Sequence, residues 1–458
     1  MSQFDLVVIG TGAGGLMVAA EAKKKGISVA LVGNDRPGGD CSYYGCVPTK
    51  TLIHTAKVLH YIRRAPEYGL PRLDIQPNFD QIMAHMHRMV DEVTSGGSWE
   101  PWEKQGFTIY KGTGKFVSPH EVVVNGDQIR GEKLVIAVGT ESAVPPIEGL
   151  EDAGYITNVE AVALKTLPQR LLVLGAGPIG MEFAQLFARL ESTVTVLEMG
   201  DQILPKEDKE VADLLRNYLK DEGVEVHTGL RVEKVEKDGD AKVAIATQDD
   251  RTLRFCVDEI LVATGRRAPI EKLALENARV EAENGWIAVD ESLRTSAPHI
   301  WAVGDCIGEF LFTHVADYQG RLVAHNLFVG EDQAKKVDYQ VVPWVTFTDP
   351  ELARVGLTEQ EAQEQRIRAQ VGRLNFADVE RAHLMLEQKG MIKVVADEEK
   401  RIVGATILGP HADELIHEFA LAIKAGLKTH DILSLIHAYP TLSEGVRWSM
   451  GSFEPKGA

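Results

Sequence analysis

Cysteine is scarce in this chain, which has four in 458 residues, at positions 41, 46, 256 and 306. So few cysteines exclude a fold held together by many disulfides, as small secreted domains are. They also leave no second Cys or His pair at zinc-like spacing to complete a metal site. Long hydrophobic runs are lacking as well. The apolar stretches are short, such as 171–174, against the ~18–20 residues that a membrane span requires.

Basic residues are in the minority, with 49 Lys and Arg against 67 Asp and Glu and a formal net charge of −18. This balance disfavours nucleic acid and anionic membranes as partners, because both are bound through clustered Lys and Arg. The N-terminus enters an apolar strand at once and resembles no targeting signal, so we expect a cytoplasmic protein. The chain is too long for one hydrophobic core, and we expect about three domains.

Two glycine-rich turns follow apolar strands and stand 165 residues apart. Each is followed by an apolar helix and a second strand. In such a βαβ unit the turn offers backbone N–H groups and a helix N-terminus to a pyrophosphate. Two complete copies predict two dinucleotide sites, whereas the alternative is a doubly wound fold whose glycine turns bind nothing. The glycines are Gly10, Gly12 and Gly15 in the first turn and Gly175, Gly177 and Gly180 in the second.

The two units differ where their second strands end. Glu198 lies 23 residues after Gly175, where a carboxylate accepts the ribose hydroxyls and repels a 2′-phosphate. No Arg follows within 199–202, so the sequence favours NAD(H) over NADP(H). In the first unit the equivalent position is Gly33 and the nearest acid is Asp35, which leaves recognition of the adenosine ribose open there.

A pair of cysteines, Cys41 and Cys46, follows the first glycine turn by about thirty positions, so a dithiol lies close to the expected cofactor. Five residues of helix rise about 7.5 Å, more than the roughly 4.4–6.8 Å between the Cα atoms of a disulfide. The pair can close only if the segment bends, and Gly45 supplies backbone freedom for the bend. A strained, accessible pair is of the reducible, catalytic kind. The alternatives are two buried thiols that do not meet, or half of a metal site.

The last part of the chain has a different pattern. Further strand–turn signals end at residues 139, 265 and 305, but from about 341 strands alternate with amphipathic helices. That change indicates a separate α+β domain.

These motifs together resemble the flavoprotein pyridine nucleotide–disulfide oxidoreductases, the group of dihydrolipoyl dehydrogenase, glutathione reductase and mercuric reductase. The resemblance covers essentially the full length. It rests on both glycine turns, the cysteine pair with Lys50, Glu182, and the runs 263–266, 302–305 and 440–444. It implies an α/β fold with two Rossmann-like dinucleotide-binding domains and a C-terminal α+β dimerisation domain. The implied domains are FAD-binding at 1–150 and 268–337, NAD-binding at 151–267, and dimerisation/interface at 338–458.

The resemblance also implies roles for single residues, with FAD and NAD(H) as cofactors. Cys46 is the sulfur next to the flavin, where it forms a charge-transfer pair once reduced, and Cys41 is the interchange thiol that attacks the substrate. Lys50 and Glu182 match the ion pair beside flavin N5, where the ammonium stabilises negative charge; a solvated helix lysine is the alternative. Asp305 binds the ribityl chain. The other implied cofactor contacts are Gly39, Gly139, Gly265 and Ala316.

One position departs from the pattern of the disulfide reductases. They carry a histidine five residues before the C-terminal glutamate, contributed across a dimer interface, whereas this chain has Tyr439 before Glu444. His437 lies two residues away, about 6–7 Å in extended backbone, and is not expected to reach the same sulfur. Because the pKa of tyrosine is about 10 against about 6.5 for histidine, Tyr439 is a poor base for dihydrolipoamide oxidation. It can still donate a proton or bind a soft metal–thiolate adduct.

Two enzymatic functions follow. The first is a homodimeric, dihydrolipoyl dehydrogenase-like enzyme acting on a small or carrier-bound disulfide or dithiol, a lipoyl group among them. The alternative is a mercuric-reductase-like reductase of metal ions or electrophiles, since mercuric reductases carry tyrosine at this position. Residues 451–458 lack the vicinal cysteines with which those enzymes deliver Hg(II), which favours the first. A flavin redox sensor with negligible turnover is a third possibility, disfavoured by the intact cysteine pair, Lys50 and Glu182.

Three side chains next to or between the two cysteines carry smaller expectations. Asp40, where the family has a small uncharged residue, should raise the pKa of the adjacent Cys41 thiol. Tyr43 and Tyr44 either narrow the substrate channel or belong to the core.

We expect no metal site elsewhere. Cys256 and Cys306 are both expected to be buried. In the run His85-Met86-His87, residues two apart point to different faces of a helix, so core packing with a solvated histidine is the interpretation.

Overall fold

The structure, a computed structural model, describes residues 1–33, 36–248 and 251–453. Asp35 and residues 454–458, which entered the expectations above, lie outside the described residues. The chain divides into two compact units, each made of three segments. Unit 1 comprises Met1–Thr51, Gln81–Ala143 and Gly265–Asp338, and unit 2 comprises Leu52–Asp80, Val144–Thr264 and Tyr339–Ala458.

The strands in the described residues are β1 (Ser2–Ile9), β2 (Val29–Gly33), β3 (Thr108–Lys111), β4 (Lys115–Ser118), β5 (Glu121–Val124), β6 (Asp127–Ile136), β7 (Glu141–Ser142), β8 (Arg170–Leu174), β9 (Thr193–Leu197), β10 (Glu225–His227), β11 (Arg231–Asp238), β12 (Ala241–Gln248), β13 (Arg251–Val257), β14 (Glu259–Val262), β15 (Arg266–Arg267), β16 (Ala282–Glu283), β17 (Trp286–Ile287), β18 (Ile300–Ala302), β19 (Trp344–Thr346), β20 (Glu351–Gly356), β21 (Gln370–Asn375), β22 (Met391–Ala396) and β23 (Ile402–Gly409).

The α-helices in the same residues are α1 (Ala13–Lys23), α2 (Gly39–Tyr43), α3 (Cys46–Arg63), α4 (Phe79–Thr94), α5 (Glu100–Lys104), α6 (Leu150–Ala153), α7 (Asn158–Ala161), α8 (Pro178–Arg189), α9 (Lys209–Asp221), α10 (Leu275–Ala278), α11 (Thr313–Asn326), α12 (Glu359–Glu364), α13 (Glu380–Met385), α14 (Ala412–Ala425), α15 (Thr429–Leu433) and α16 (Ser443–Ser449).

Unit 1 is built on a seven-stranded mixed sheet in the order β3-β2-β1-β6-β5-β4, with β18 paired to β6. Strands β3, β2, β1, β6 and β18 pair in parallel, and β4 and β5 join by antiparallel pairing. Successive side chains of a strand face opposite sides of its sheet, yet all of 6–9 are buried. This sheet is therefore covered on both faces, which is why β1 has a continuous apolar run instead of an alternating pattern.

Unit 2 contains two kinds of sheet. The parallel sheet β10-β9-β8-β14 carries the second glycine turn, and two antiparallel sheets have the orders β11-β12-β13 and β19-β20-β23-β22-β21. Helix α14 packs on the five-stranded sheet through Ile416, Phe419 and Ala422, all fully buried. The expected α/β class and the α+β layer after residue 341 are both confirmed.

One burial expectation is wrong. Cys306 is buried as expected, but Cys256 is exposed. It lies on β13, an edge strand of a three-stranded sheet, where 251–257 alternate in burial and Cys256 points to the solvent side beside Arg170. A cysteine on an edge strand follows the two-residue period of the strand, and its apolar character does not decide its burial.

Helix α4 contains the run 85–87. Met83, Met86 and Val90 are its buried side chains, and the Nδ1 atom of His85 lies 2.8 Å from Nη2 of Arg88. Within the described ranges, no set of three or more His, Cys, Asp and Glu side chains is arranged to hold a metal ion. Among the described helices, none combines the length and the apolar character needed to cross a membrane.

Candidate active site

The cysteine pair lies where a short helix ends and a longer one begins. After α2 the N–H groups of Tyr44 and Gly45 both donate to the carbonyl of Asp40, at 2.8 and 2.7 Å, and α3 then starts at Cys46. A Cβ atom on Gly45 would stand 3.2 Å from the Cα atom of Cys41. The expected bend is present. The φ of Gly45 is not positive, so the glycine serves the close approach to Cys41 and not a left-handed backbone.

Both cysteines are free thiols, and the interaction with the other cysteine is the largest influence on the pKa of each. The Sγ atom of Cys46 also lies 3.6 Å from the hydroxyl oxygen of Thr313. The interaction with Cys41 lowers the pKa of Cys46 to about 6; Thr313 and the Lys50 ammonium lower it further, and burial opposes them. The same interaction, and then burial, raises the pKa of Cys41 far above its ordinary value. The two shifts are opposite in direction, which favours one thiolate and one thiol in the pair.

The Asp40 carboxylate is already paired with a cation. Its Oδ2 atom accepts a hydrogen bond from Nη2 of Arg266 at 3.1 Å. The expected influence of Asp40 on Cys41 is therefore countered by a neighbouring charge, and the raised pKa of Cys41 comes first from Cys46. Of the two adjacent tyrosines, Tyr43 is a core residue whose hydroxyl donates to the carbonyl of Pro37 at 2.9 Å. Tyr44 is exposed.

The first glycine turn is closely packed on its protein side and open on the other. Gly10 has φ +110°, and a Cβ atom there would stand 2.1 Å from the Ala137 carbonyl oxygen. A Cβ on Gly15 would come equally close, 2.1 Å, to the Gly10 oxygen, whereas one on Gly12 would meet no atom within 4 Å. Gly39, with φ +67°, leaves only 2.8 Å between its Cβ position and the Cα atom of Gly12. The redox turn thus begins against the glycine turn.

The other candidate cofactor contacts in unit 1 are Gly139, Gly265, Ala316 and Asp305. Gly139 and Gly265 both have positive φ and front open space, because a Cβ on either would meet nothing within 4 Å. Ala316 lies on α11, which packs closely on α1. Asp305 is half-buried, and burial raises the pKa of its carboxyl; its Oδ2 atom accepts from the Thr140 hydroxyl at 3.1 Å. Open backbone beside a helix N-terminus and a desolvated carboxylate fit a dinucleotide with a polyol chain.

The second glycine turn repeats this geometry in unit 2. Gly175 has φ +100°, and its Cβ position is 2.5 Å from the Ala263 oxygen, while that of Gly180 is 2.1 Å from the Gly175 oxygen. Gly177 again fronts open space, and α8 begins at the next residue. The turn has the open backbone and helix N-terminus that a pyrophosphate needs.

Glu198 closes the second turn from the end of β9. One carboxylate oxygen accepts from the Ala176 N–H and the other from the Gly200 N–H, both at 2.7 Å. Two backbone amides therefore fix the carboxylate beside the glycine turn. A carboxylate in that place suits the hydroxyls of an adenosine ribose.

Glu182 and Lys50 lie in different compact units. Glu182 is buried on α8, and one of its carboxylate oxygens accepts from the Phe347 N–H at 2.9 Å. Lys50 is half-buried on α3, four residues after Cys46.

The C-terminal candidates have other partners than the pattern of a His–Glu pair suggests. Tyr439 is 70% exposed, and a hydrogen bond to Glu380, with Glu444 nearby, raises its pKa further above the ordinary value. His437 places Nε2 3.0 Å from the Glu418 carboxylate. Glu444 is buried and accepts from the Thr441 N–H at 3.3 Å. His437 is therefore held away from the position of Tyr439 by a carboxylate of its own.

Three polar residues beside the cysteines were not singled out from the sequence. Thr313 contacts the Cys46 sulfur, and Thr140 and Arg266 join Asp40 to Asp305. Arg266 belongs to a run that carried the family resemblance, which was the only signal available for it. For the two threonines the sequence contains no signal, because they approach the site only through folding.

A family model described as pyridine nucleotide-disulphide oxidoreductase matches residues 4–320. The chain belongs to this family. As a member of the pyridine nucleotide-disulphide oxidoreductases it is a flavoprotein that uses FAD and NAD(P)H. A second model, the family's dimerisation domain, matches residues 342–450 and supports a homodimer.

Relatives within the family differ in what they act on. The chain is 38% identical over 456 residues to a dihydrolipoyl dehydrogenase of Thermus scotoductus, covering 97% of this chain and 96% of that protein. It is 34% identical over 453 residues to a mercuric reductase of Bacillus cereus, covering 98% and 72%. Among solved structures, the Cu(II) complex of the HOCl-induced flavoprotein disulfide reductase RclA from Escherichia coli matches with a TM-score of 0.88 at 30% identity, covering 98% and 99%. At these identities the family is certain and the substrate is not fixed.

Proposed function

We propose that the chain is an FAD-dependent, NAD(H)-linked disulfide oxidoreductase of the dihydrolipoyl dehydrogenase kind. It would act in the cytoplasm as a homodimer on a small or carrier-bound disulfide or dithiol, a lipoyl group among them. The observation that carries the proposal is the pair of free thiols, Cys41 and Cys46, in a turn that begins against the first glycine turn, where each thiol shifts the pKa of the other in the opposite direction. Such an asymmetric pair divides the work between a resident thiolate and a thiol that exchanges with substrate.

The residues of the chain have separate tasks in this scheme. FAD, when bound, carries two electrons between NAD(H) and the sulfur pair. Cys41 exchanges with the substrate disulfide, and Cys46 stays the thiolate, supported by Thr313 and Lys50. The balance is NADH, a proton and a disulfide giving NAD⁺ and two thiols, and the reverse for a dithiol substrate. The Glu198 carboxylate supports NAD(H) as the coenzyme, since a 2′-phosphate would meet a negative charge.

We further propose that FAD is held by 1–150 with 268–337, NAD(H) by 151–267, and the partner subunit by 338–458. Glu182 would orient Lys50, and Tyr439 with Glu444 would serve the thiols of the partner subunit.

A second candidate function is the reduction of soft metal ions. Tyr439 favours it, because an exposed tyrosine with a raised pKa is a weak general base for a dithiol. A metal ion needs no deprotonation before it binds to thiolates. Mercuric reductases and the Cu(II) complex of RclA are among the relatives. One NADH would reduce one Hg(II) to Hg(0), or two Cu(II) to two Cu(I), with release of one proton.

The first test replaces the exchanging sulfur. Cys41→Ser should keep bound FAD and its anaerobic reduction by NADH, but lower turnover of lipoamide by at least about 10³-fold, because no thiol remains to exchange. Visible absorbance follows the first step and NADH oxidation the second. Cys256→Ser, an exposed cysteine on β13, is the matched control and should turn over like the wild type. Full lipoamide turnover by Cys41→Ser would contradict the proposal.

The second test separates the two candidate functions. Tyr439→His should raise dihydrolipoamide oxidation by about tenfold or more, as expected for a restored general base, and leave Hg(II)- and Cu(II)-dependent NADH oxidation within about twofold. Wild-type rates with lipoamide, glutathione disulfide, Hg(II) and Cu(II) give the baseline. If only the metal ions support turnover, before and after the change, the second candidate replaces the first.

A further inference from the structure

Asp40, the residue before Cys41, contacts the rest of the protein through both its backbone carbonyl and its side-chain carboxylate. The carbonyl of Asp40 accepts the N–H groups of Tyr44 and Gly45, which closes the bend between the cysteines. Its carboxylate accepts from Arg266 at 3.1 Å. Loss of the contact between the Asp40 carboxylate and Arg266 therefore affects the same backbone segment that brings Cys41 close to Cys46.

Arg266 is a fixed point for this contact. It belongs to β15, where it pairs with Ser142 of β7, and its side chain is only 13% exposed. The guanidinium donates to the Thr140 hydroxyl at 2.7 Å and to the Thr140 carbonyl at 3.0 Å. Three hydrogen bonds on one planar fork define its position. The Asp40 carboxylate is thus attached to a guanidinium that Thr140 also holds.

Thr140 also contacts the half-buried carboxylate of Asp305. The Thr140 hydroxyl donates to Asp305 at 3.1 Å, and Arg266 offsets part of the effect of burial on the pKa of Asp305. The guanidinium thus compensates Asp40 on one side and Asp305 on the other. This chain of contacts joins the neighbour of Cys41 to a residue assigned above to FAD.

We propose that Asp40 is a positioning residue for the sulfur pair: its ion pair with Arg266 keeps the redox turn closed and thereby favours the disulfide over the dithiol. The inference rests on the proposed function, because it requires Cys41 and Cys46 to form a disulfide. A carboxylate at this position lies outside the family's pattern, so the effect belongs to this chain.

The direction follows from the geometry of disulfides. Two sulfurs can be joined only if their Cα atoms are held close, so a restraint on the turn lowers the cost of ring closure. Loss of the ion pair from either side loosens the turn and shifts the equilibrium toward the dithiol. An effect of charge alone acts differently: removal of Asp40 stabilises thiolate and removal of Arg266 destabilises it. The two substitutions therefore distinguish positioning from electrostatics.

The experiment measures the thiol–disulfide equilibrium of the holoprotein in anaerobic glutathione buffers. The protein dithiol and one glutathione disulfide give the protein disulfide and two glutathiones. The bond between the glutathione sulfurs breaks, a bond forms between Cys41 and Cys46, and the two glutathiones take up one proton from the thiol of the pair and one from solvent. Alkylation of the remaining thiols and mass spectrometry give the oxidised fraction, so flavin turnover is not needed.

Asp40→Asn should move the equilibrium about tenfold toward the dithiol, which equals about 30 mV for a two-electron couple. Arg266→Met should move it in the same direction; if that variant does not retain FAD, Arg266→Lys replaces it, with loss of the forked geometry. Asp317→Asn is the matched control. Asp317 pairs with Arg321 at 2.9 Å and is 38% exposed, as is the side chain of Asp40, and its loss should leave the equilibrium within about twofold.

The outcomes separate this inference from the proposed function. An unchanged equilibrium in Asp40→Asn, or opposite shifts in Asp40→Asn and Arg266→Met, overturns the positioning role and leaves the proposed function intact. A wild-type protein that forms no Cys41–Cys46 disulfide in any buffer overturns both.

Discussion

The two glycine turns of this protein share one backbone geometry and differ at one pair of positions. In each, the first glycine donates its N–H to the last apolar residue of the second strand, Gly10 to Val32 at 2.8 Å and Gly175 to Leu197 at 2.9 Å. The first and third glycines of each turn exclude any side chain, and the middle one fronts open space. The backbone requirement of a nucleotide-binding turn is thus met twice in the same way.

The turns differ in what stands between the first two glycines and at the end of the second strand. In unit 1 these residues are Thr11 and Gly33, and a Cβ on Gly33 would stand 2.2 Å from the Thr11 hydroxyl oxygen. In unit 2 they are Ala176 and Glu198, and the Ala176 N–H donates to the Glu198 carboxylate. A larger residue in the turn therefore accompanies a glycine on the strand, and a smaller one leaves room for the acid. We therefore expect the two positions to depend on each other.

The largest expected effect concerns the glycines that both turns have in common. Gly10→Ala should lower stability by about 3 kcal/mol or more, because it combines a positive φ, which costs ~1–2 kcal/mol, with overpacking of a backbone carbonyl, which costs ~1–3 kcal/mol. Gly175→Ala should behave alike. Denaturant unfolding followed by circular dichroism measures both. Gly12→Ala is the control: its Cβ meets no protein atom, so it should keep stability and lose FAD affinity. Equal losses of stability in all three variants would refute the distinction.

The second prediction gives the first turn the two residues that the second turn has at the differing positions. Gly33→Glu should cost ~1–3 kcal/mol through overpacking against Thr11. The double variant Thr11→Ala with Gly33→Glu should regain at least half of that loss, since the alanine leaves the space that Ala176 leaves for Glu198. Thr11→Ala alone is the reference for a double-mutant cycle, read from unfolding midpoints and FAD content. Strict additivity of the two changes would show that the positions are independent.

The smallest effect concerns coenzyme choice. Glu198→Gln keeps the size of the side chain but removes its charge, and a hydrogen bond to a charged group is worth ~1 kcal/mol more than one between neutral groups. The ratio of the NADPH to the NADH dissociation constant should therefore fall about fivefold, as measured by anaerobic titration. FAD content should stay at the wild-type level, because Glu198 belongs to unit 2. A ratio that does not change would remove Glu198 from coenzyme recognition.

Much of the fold could be predicted from the sequence because its signals are local. A continuous apolar run, a glycine turn and an apolar helix specify a βαβ unit without reference to the rest of the chain, and both predicted copies are present. The bend between the cysteines followed from the rise of a helix against the span of a disulfide. Its glycine, however, serves the close approach of Gly45 to Cys41, a contact that spacing alone does not distinguish from conformational freedom.

The parts that could not be predicted depend on contacts between distant segments. Asp40 and Arg266 are 226 residues apart, and Cys46 and Thr313 are 267 apart. An isolated acid beside a cysteine reads as a perturbing charge until its cation is known. The burial expected for Cys256 was wrong for a similar reason. Composition suggests burial, but the position of the strand at a sheet edge decides it.

The lowered pKa of Cys46 has a practical consequence for handling the protein. A sulfur that is half ionised near pH 6 reacts with dissolved oxygen and trace copper well before an ordinary cysteine does. Stock solutions stored in air should therefore lose two titratable sulfhydryls together, while the sulfhydryl of Cys256 survives. Colorimetric counts on fresh and aged batches would then differ by two, and a reductant in the storage buffer would abolish the difference.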